Sequence, residues 1–165
     1  MKKYGWLLLS VFLFASCVRM SDLSYDGIES VEVVSVGVNQ SAVDLFVRAS
    51  NASGTNLTVV KAELTLNRDG VRLARAEVDE KVKLPKRFDG TIRIPVKIRI
   101  EGGFLGVASI ASVLSNHGAG TTVSGEVVVK AGLAKKKYKI EDMDTGRFLR
   151  QFGIDPEDML KGMAL

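Results

Sequence analysis

A chain of 165 residues, 46% apolar and 25% charged, with only three prolines, buries enough surface for one ordinary core and is too hydrophobic for wholesale disorder. Its formal charge is +4, and discounting Lys2 and Lys3 as part of a removable leader leaves about +2, far below the basic surplus of a nucleic-acid binder. One cysteine, Cys17, and one histidine, His117, exclude an intramolecular disulfide and leave no second imidazole or thiolate for a zinc site.

Residues 1–16, MKKYGWLLLSVFLFAS, have a basic start, an apolar run from Trp6 to Phe14, and small residues Ala15 and Ser16, the parts of a cleaved export signal. A spanning helix needs about 20 apolar residues, and Arg19, Asp22 and Asp26 interrupt too soon. Cys17 therefore stands at the expected junction, alone in an oxidising destination. Leu13-Phe14-Ala15-Ser16-Cys17 resembles the lipobox of bacterial lipoproteins, in which the cysteine is acylated and becomes the mature N-terminus. Phe14 occupies the place where that pattern prefers leucine. The resemblance implies a lipid-anchored chain in the bacterial cell envelope. Val18 in place of an aspartate after the cysteine favours the outer membrane, facing the periplasm. Residues 17–26 are expected to be the lipidated N-terminus and a short tether.

From Gly27 to Val38 a valine-rich run places Val34, Val36 and Val38 on one face and Val31 and Val33 on the other parity, which a bulge reconciles. In Ala42–Asn67, Val43, Leu45, Val47 and Ala49 alternate with polar residues, and Val60, Ala62, Leu64 and Leu66 do so again. That period of two predicts two strands. The small polar residues 51–56 form the turn between them, and Arg68-Asp69-Gly70 predicts a hairpin. Val71–Val78 then reads as a strand at an edge or bend, and the charged Glu77–Lys83 as an exposed edge. Ile92, Ile94, Val96, Ile98 and Ile100 alternate with Arg93, Pro95, Lys97 and Arg99. Pro95 donates no ladder bond and is expected at an edge or with that position facing solvent.

The period changes after Gly102-Gly103. Phe104, Val107, Ala108, Ala111 and Leu114 share a helical face, widened by Ile110 and Val113, and Gly118 supplies a left-handed cap. Strands return over Thr121–Ala131 and Ala134–Ile140. The latter carries Lys135, Lys136, Lys137 and Lys139, a candidate contact with an anionic membrane or a partner. Phe148, Leu149 and Phe152 fall on one face of a helical tail over 142–165, and Asp155-Pro156 reads as a helix start. These apolar residues are expected to cover the sandwich; the competing reading makes Phe148 and Phe152 a contact with a membrane or a partner.

No catalytic constellation is legible. The chain contains no G-x-S-x-G elbow and no G-x-x-x-x-G-K loop, and His117 beside glycines reads as structural. No metal or cofactor is expected. Asn39, Asn51 and Asn56 each begin an N-x-S/T triplet, but with a lipobox they read as turn formers rather than glycan acceptors.

The strand FVRASN (Phe46–Asn51), then VVKAELTLNRDG (Val59–Gly70), then GTIRIPVKIRI (Gly90–Ile100) resemble the late embryogenesis abundant type 2 family, or water-stress and hypersensitive-response domain. Asn51 matches the first residue of that family's Asn-Pro-Asn, with Ala52 and Ser53 in place of Pro-Asn, and Ile94-Pro95-Val96 matches its later valine-proline-valine. The resemblance implies an immunoglobulin- or fibronectin-III-like β-sandwich of about seven antiparallel strands with one interposed α-helix, over residues 27–141. It also implies a non-catalytic binding or stress-protective module. Alternating strands with one polar face independently favour a sandwich. The competing reading is a carrier of an apolar ligand or lipid, held between sheet and helix near Phe104, Val107 and Leu114. The expected partners are the membrane, through Cys17, and an envelope protein or apolar ligand, without nucleic acid.

Overall fold

Asp69 and Gly70 adopt positive φ, 51° and 76°, so the chain reverses in two residues, as the Asp-Gly pair predicts. The hairpin lies near the middle of a mainly-β fold. The computed structural model describes residues 22–37, 39–155 and 157. The elements are β1 (Leu23–Ser35), β2 (Gln40–Asn51), β3 (Leu57–Arg68), β4 (Val71–Val78), β5 (Val82–Leu84), β6 (Phe88–Ile100), α1 (Gly103–Ser115), β7 (Thr122–Ala131), β8 (Ala134–Asp144) and α2 (Thr145–Gln151). The fold class is as expected, mainly β and sandwich-like with a helix before the last two strands. It differs in having eight strands, and the short helix Thr145–Gln151 lies within the expected helical tail.

All eight strands belong to one antiparallel sheet, ordered β1-β2-β6-β4-β3-β7-β8 with β5 beside β3, rather than to two separate sheets. Its narrow point is the β4–β6 ladder, which joins only Ala74–Val78 to Val96–Ile100. Beyond that seam β6 continues beside β2, while β3 continues beside β5 and β7. The sheet thus opens into two leaves, β1-β2-β6 and β5-β3-β7-β8. Apolar side chains gather on one face: Ile28, Val47 and Ile92 stand in register on one leaf, and Leu66, Val123 and Met143 on the other; Val128 is an exception, buried on the opposite face of β7 against Lys61 and Lys137. Both leaves contribute to the buried core, with Val47 and Ala49 from β2, Leu57 from β3, Val82 from β5 and Val123 from β7. Val113 and Leu114 of α1 and Leu149 of α2 complete it.

Several expected boundaries and positions move. The sheet runs from Leu23 to Asp144, so residues 23–26 of the expected tether are strand and the tail begins after Asp144. The strand β4, expected at an edge or a bend, lies between β3 and β6 with a register irregularity at Leu73; the order ends at β1 and β8, and β5 pairs only with β3. Pro95 lies in the interior strand β6, one residue outside the β4 ladder. There it interrupts no pairing to β4, and its carbonyl accepts from Asp79 N at 2.9 Å. The buried side of α1 is Gly106, Val113 and Leu114; Phe104 is 81% exposed and Ala108 is also exposed. Gly106 explains the rotation, because a Cβ there would run into the Glu101 carbonyl and lie 2.8 Å from Ile100 Cγ2. Helix and sheet meet through this glycine, a close approach that a hydrophobic periodicity cannot reveal.

The glycine cap at the end of α1 forms as expected. Gly118 has φ 81° and donates to Val113 O at 2.8 Å. The turn then fastens the tail: the buried hydroxyls of Thr121 and Thr145 lie 2.8 Å apart, and Thr145 N donates to Thr121 O at 3.0 Å. Asp144 caps α2 by accepting from Arg147 N at 2.8 Å.

Candidate functional site

The first structural surprise is Asn51, which was expected only to shape a turn. It is fully buried at 0% exposure, and its amide nitrogen donates to Thr55 O (2.9 Å), Leu84 O (3.3 Å) and Pro85 O (2.9 Å). Its amide oxygen accepts from Ser53 N (3.1 Å) and Ser53 Oγ (2.6 Å). One side chain thereby joins the end of β2 to the 52–56 loop and to the strand end at β5, drawing the two leaves together. Asn56 extends the clasp by accepting from Lys86 N at 2.8 Å. Asn39 is exposed.

The basic run on β8 does not act as a single patch. Lys135, Lys137 and Lys139 alternate with Lys136 and Tyr138 across the strand. Lys136 Nζ lies 5.1 Å from the Tyr138 ring centroid, within cation–π range. Lys137 is engaged at 3.0 Å by Glu126, which also takes Lys61 at 2.7 Å. Hydrogen bonds from Lys61 and then Lys137 hold the Glu126 carboxyl down from its ordinary 4.5 to about 2. Because the folded value lies below the unfolded one, the stability Glu126 contributes is present above about pH 4.5 and lost as pH falls towards 2. Denaturant titrations across that window are expected to show a falling stability whose slope is shallower in Glu126→Gln; equal slopes would remove Glu126 as a source.

Farther along this polar face, Arg75 bridges Glu63 and Glu77 at 3.0 and 3.4 Å, and Lys97 meets Asp79 at 2.5 Å. Arg93 donates to the 8%-exposed Asp44 at 2.6 Å, a hydrogen bond that raises the guanidinium's pKa. Of the Arg93, Lys97 and Arg99 stripe, the first two are therefore occupied by carboxylates. An open depression of about 430 Å³ lies over Lys61, Glu63, Ser124, Glu126, Lys139 and Glu141, with both charge signs in its lining.

The tail residues turn inward. Phe148 and Phe152 stack with centroids 4.7 Å apart, Tyr25 of β1 meets Phe152 edge-on at 6.2 Å, and the Tyr25 hydroxyl donates to Phe152 O at 2.8 Å. They clasp α2 to the first strand. His117 is exposed with φ 53°, at the cap of α1. Leu114 is buried at 7% while Phe104 turns to solvent. Cys17, residues 1–16 and Pro156 lie outside the described residues. Among the described residues no three His, Cys, Asp or Glu side chains converge as metal ligands, and no helix is long and apolar enough to cross a membrane.

One feature escaped the sequence reading altogether. At the end of the sheet near Asn51 an open pocket of about 400 Å³ is lined by Thr55, Asn56, Thr58, Lys86 and Lys130 together with glycines 54 and 132, without a carboxylate. Its residues come from three separate stretches of chain. Only the register of β5, β3 and β7 brings them together.

No family model matches the chain, and no curated protein matches it. It is similar to a crystal structure of a protein from Archaeoglobus fulgidus at 12% identity and a TM-score of 0.47, covering 71% of this chain and 91% of that one.

Proposed function

We propose that this is a non-catalytic, lipid-anchored protein of the bacterial cell envelope, acylated at Cys17 in the outer membrane and facing the periplasm. In this reading the β-fold is a binding or stress-protective module of the late embryogenesis abundant type 2 kind. The observation that carries it is the lipobox-like Leu13–Cys17 directly ahead of the sheet. Asp22, five residues beyond Cys17, is fixed to the sheet by Ala52 N donating to Asp22 O at 2.8 Å, and β1 starts at the next residue. Two or more acyl chains at Cys17 hold a protein durably on a bilayer, since each buried methylene contributes about 0.8 kcal/mol. Only four residues separate Cys17 from Asp22. The opposed reading, an apolar-ligand carrier, has weaker support because Phe104 faces solvent while Leu114 is already packed in the core.

Metabolic labelling with a fatty acid tests the anchor. Wild type is expected to take up label and partition with membranes, and Cys17→Ala to lose the label entirely. Equal labelling of the two would remove the proposal.

A further inference from the structure

At the Asn51 end, the polar face loses the charge balance it keeps elsewhere. Lys83 of β5 stands opposite Thr58 of β3, Thr58 opposite Lys130 of β7, and Lys130 opposite Lys135 of β8. Residues directly opposite share a face, so three lysines form one row across four strands, all of them exposed. Among the described residues none of Lys83, Lys86, Lys130 and Lys135 makes an ion pair, whereas Lys61, Arg75, Arg93, Lys97 and Lys137 on the same sheet each do. Like charges placed directly opposite, as Lys130 and Lys135 are, destabilise a sheet. The fold keeps them there without an internal anion. The acids at this end, Asp22, Asp26 and Asp89, belong to the β1-β2-β6 leaf, and Asp89 is taken by Arg48 at 3.2 Å.

Beside the row is a residue of the opposite character. The hairpin joining β7 to β8 reverses through Gly132, φ 57°, and Leu133. Leu133 is fully exposed at its tip, where a two-residue turn normally takes Asn, Asp or Gly. A bare leucine on the hairpin flanked by Lys130 and Lys135, next to a pocket lined by Lys86, Lys130 and Gly132, suits the two chemistries of a bilayer interface: apolar below, anionic above. The chain also enters the fold at this end, because Leu23 pairs with Asn51 and Asn51 binds the carbonyls of Leu84 and Pro85.

The geometry points to this end of the sheet as a docking surface for an anionic phospholipid bilayer, with Leu133 entering the interface and Lys83, Lys86, Lys130 and Lys135 reading phosphate headgroups. It deepens the anchored reading and relies on it only for orientation. The five residues from Cys17 to Asp22 span at most roughly 17 Å, so an acylated Cys17 would hold this end, and no other, close to the surface. The pocket is then the place for a headgroup phosphate.

The test uses the full chain carrying Cys17→Ser, which cannot be acylated, floated with phosphatidylcholine vesicles with and without anionic phosphatidylglycerol. Residues 1–16 are common to every variant and affect all of them alike. Combining Lys83→Gln, Lys130→Gln and Lys135→Gln is expected to weaken binding to the anionic vesicles on the order of 100-fold, roughly 5-fold for each lysine, and to leave neutral vesicles unaffected. Leu133→Ser is expected to weaken anionic binding on the order of 10-fold. Thermal melts check the fold, and Lys130→Gln is expected to melt no lower than its parent because it relieves a like-charge pair. Binding of the triple variant equal to that of its parent overturns the inference. So does saturable binding of inorganic phosphate at the pocket that outcompetes the vesicles and is indifferent to Leu133→Ser, which would assign the site to a free anion. Since no acyl chain is present, this comparison stands apart from the labelling test of Cys17.

Discussion

Asn51→Asp is expected to lower the thermal midpoint by about 10 °C, the largest single-residue effect in the fold. The substitution preserves volume but replaces an amide that donates to three carbonyls, Thr55 O, Leu84 O and Pro85 O, by a carboxylate that repels them. Because the site is fully buried, each deserted carbonyl costs roughly 1 kcal/mol or more, and the unpaired charge adds to that. Burial raises the folded-state pKa of the new carboxyl, so its destabilisation is full above that value and shrinks as acidification protonates it. Asn51→Ala removes the donors without adding a charge and is expected to cost less than the aspartate near neutral pH. Calorimetric midpoints of the three proteins at neutral and acidic pH decide the matter. A midpoint for Asn51→Asp within a degree or two of wild type would show that the leaves are held together elsewhere.

Gly125→Val is the second large effect, expected at about 3 kcal/mol in chemical denaturation. Gly125 lies opposite Leu64 in the β3–β7 ladder, beside an irregularity where β8 slips against β7 between Val123 and Gly125. An added Cβ would run into the Glu63 carbonyl and lie 3.0 Å from Leu64 Cα. Both are backbone atoms of a paired strand, so the collision cannot be relieved by turning a side chain, and β3 and β7 must separate. Gly54→Ala is the control, because a Cβ at Gly54 meets nothing within 4 Å, and it is expected to change stability by no more than about 0.5 kcal/mol. Equal losses for the two would mean that the approach of β3 to β7 has slack.

The architecture was legible where one physical signal dominated. Alternation in β2, β3 and β6 predicts strands because each has a wet and a dry side, and Asp69-Gly70 predicts a hairpin because the backbone there needs positive φ. The single continuous sheet was not legible, since alternation tells which side of a strand is buried and says nothing of its neighbours. For the same reason Val71–Val78 read as an edge or a bend: Leu73 and Ala74 break its alternation, and only the register shows this as an irregularity at Leu73 in a strand paired on both sides. The candidate site was harder still. Lys135–Lys139 was visible as a run, but its division between Glu126, Tyr138 and solvent follows from register. Lys83 and Lys86 are more than forty residues from Lys130 along the chain and share an end of the molecule with it only once β5, β3 and β7 align. Phe148 and Phe152 were expected to cover the sheet, and they do so from the end of α2; their partner there, Tyr25, lies more than a hundred residues earlier and could not be read from the tail.

That meeting of Tyr25 with Phe152 sets a schedule for the molecule's birth. Tyr25 waits for Phe152, at the end of α2, so while the chain emerges from the ribosome this corner stays open even after β1 has paired with β2. Long-range partners delay closure in general. The seam between the first strand and α2 thus closes only once residue 152 has been made, 127 positions after the ring that receives it.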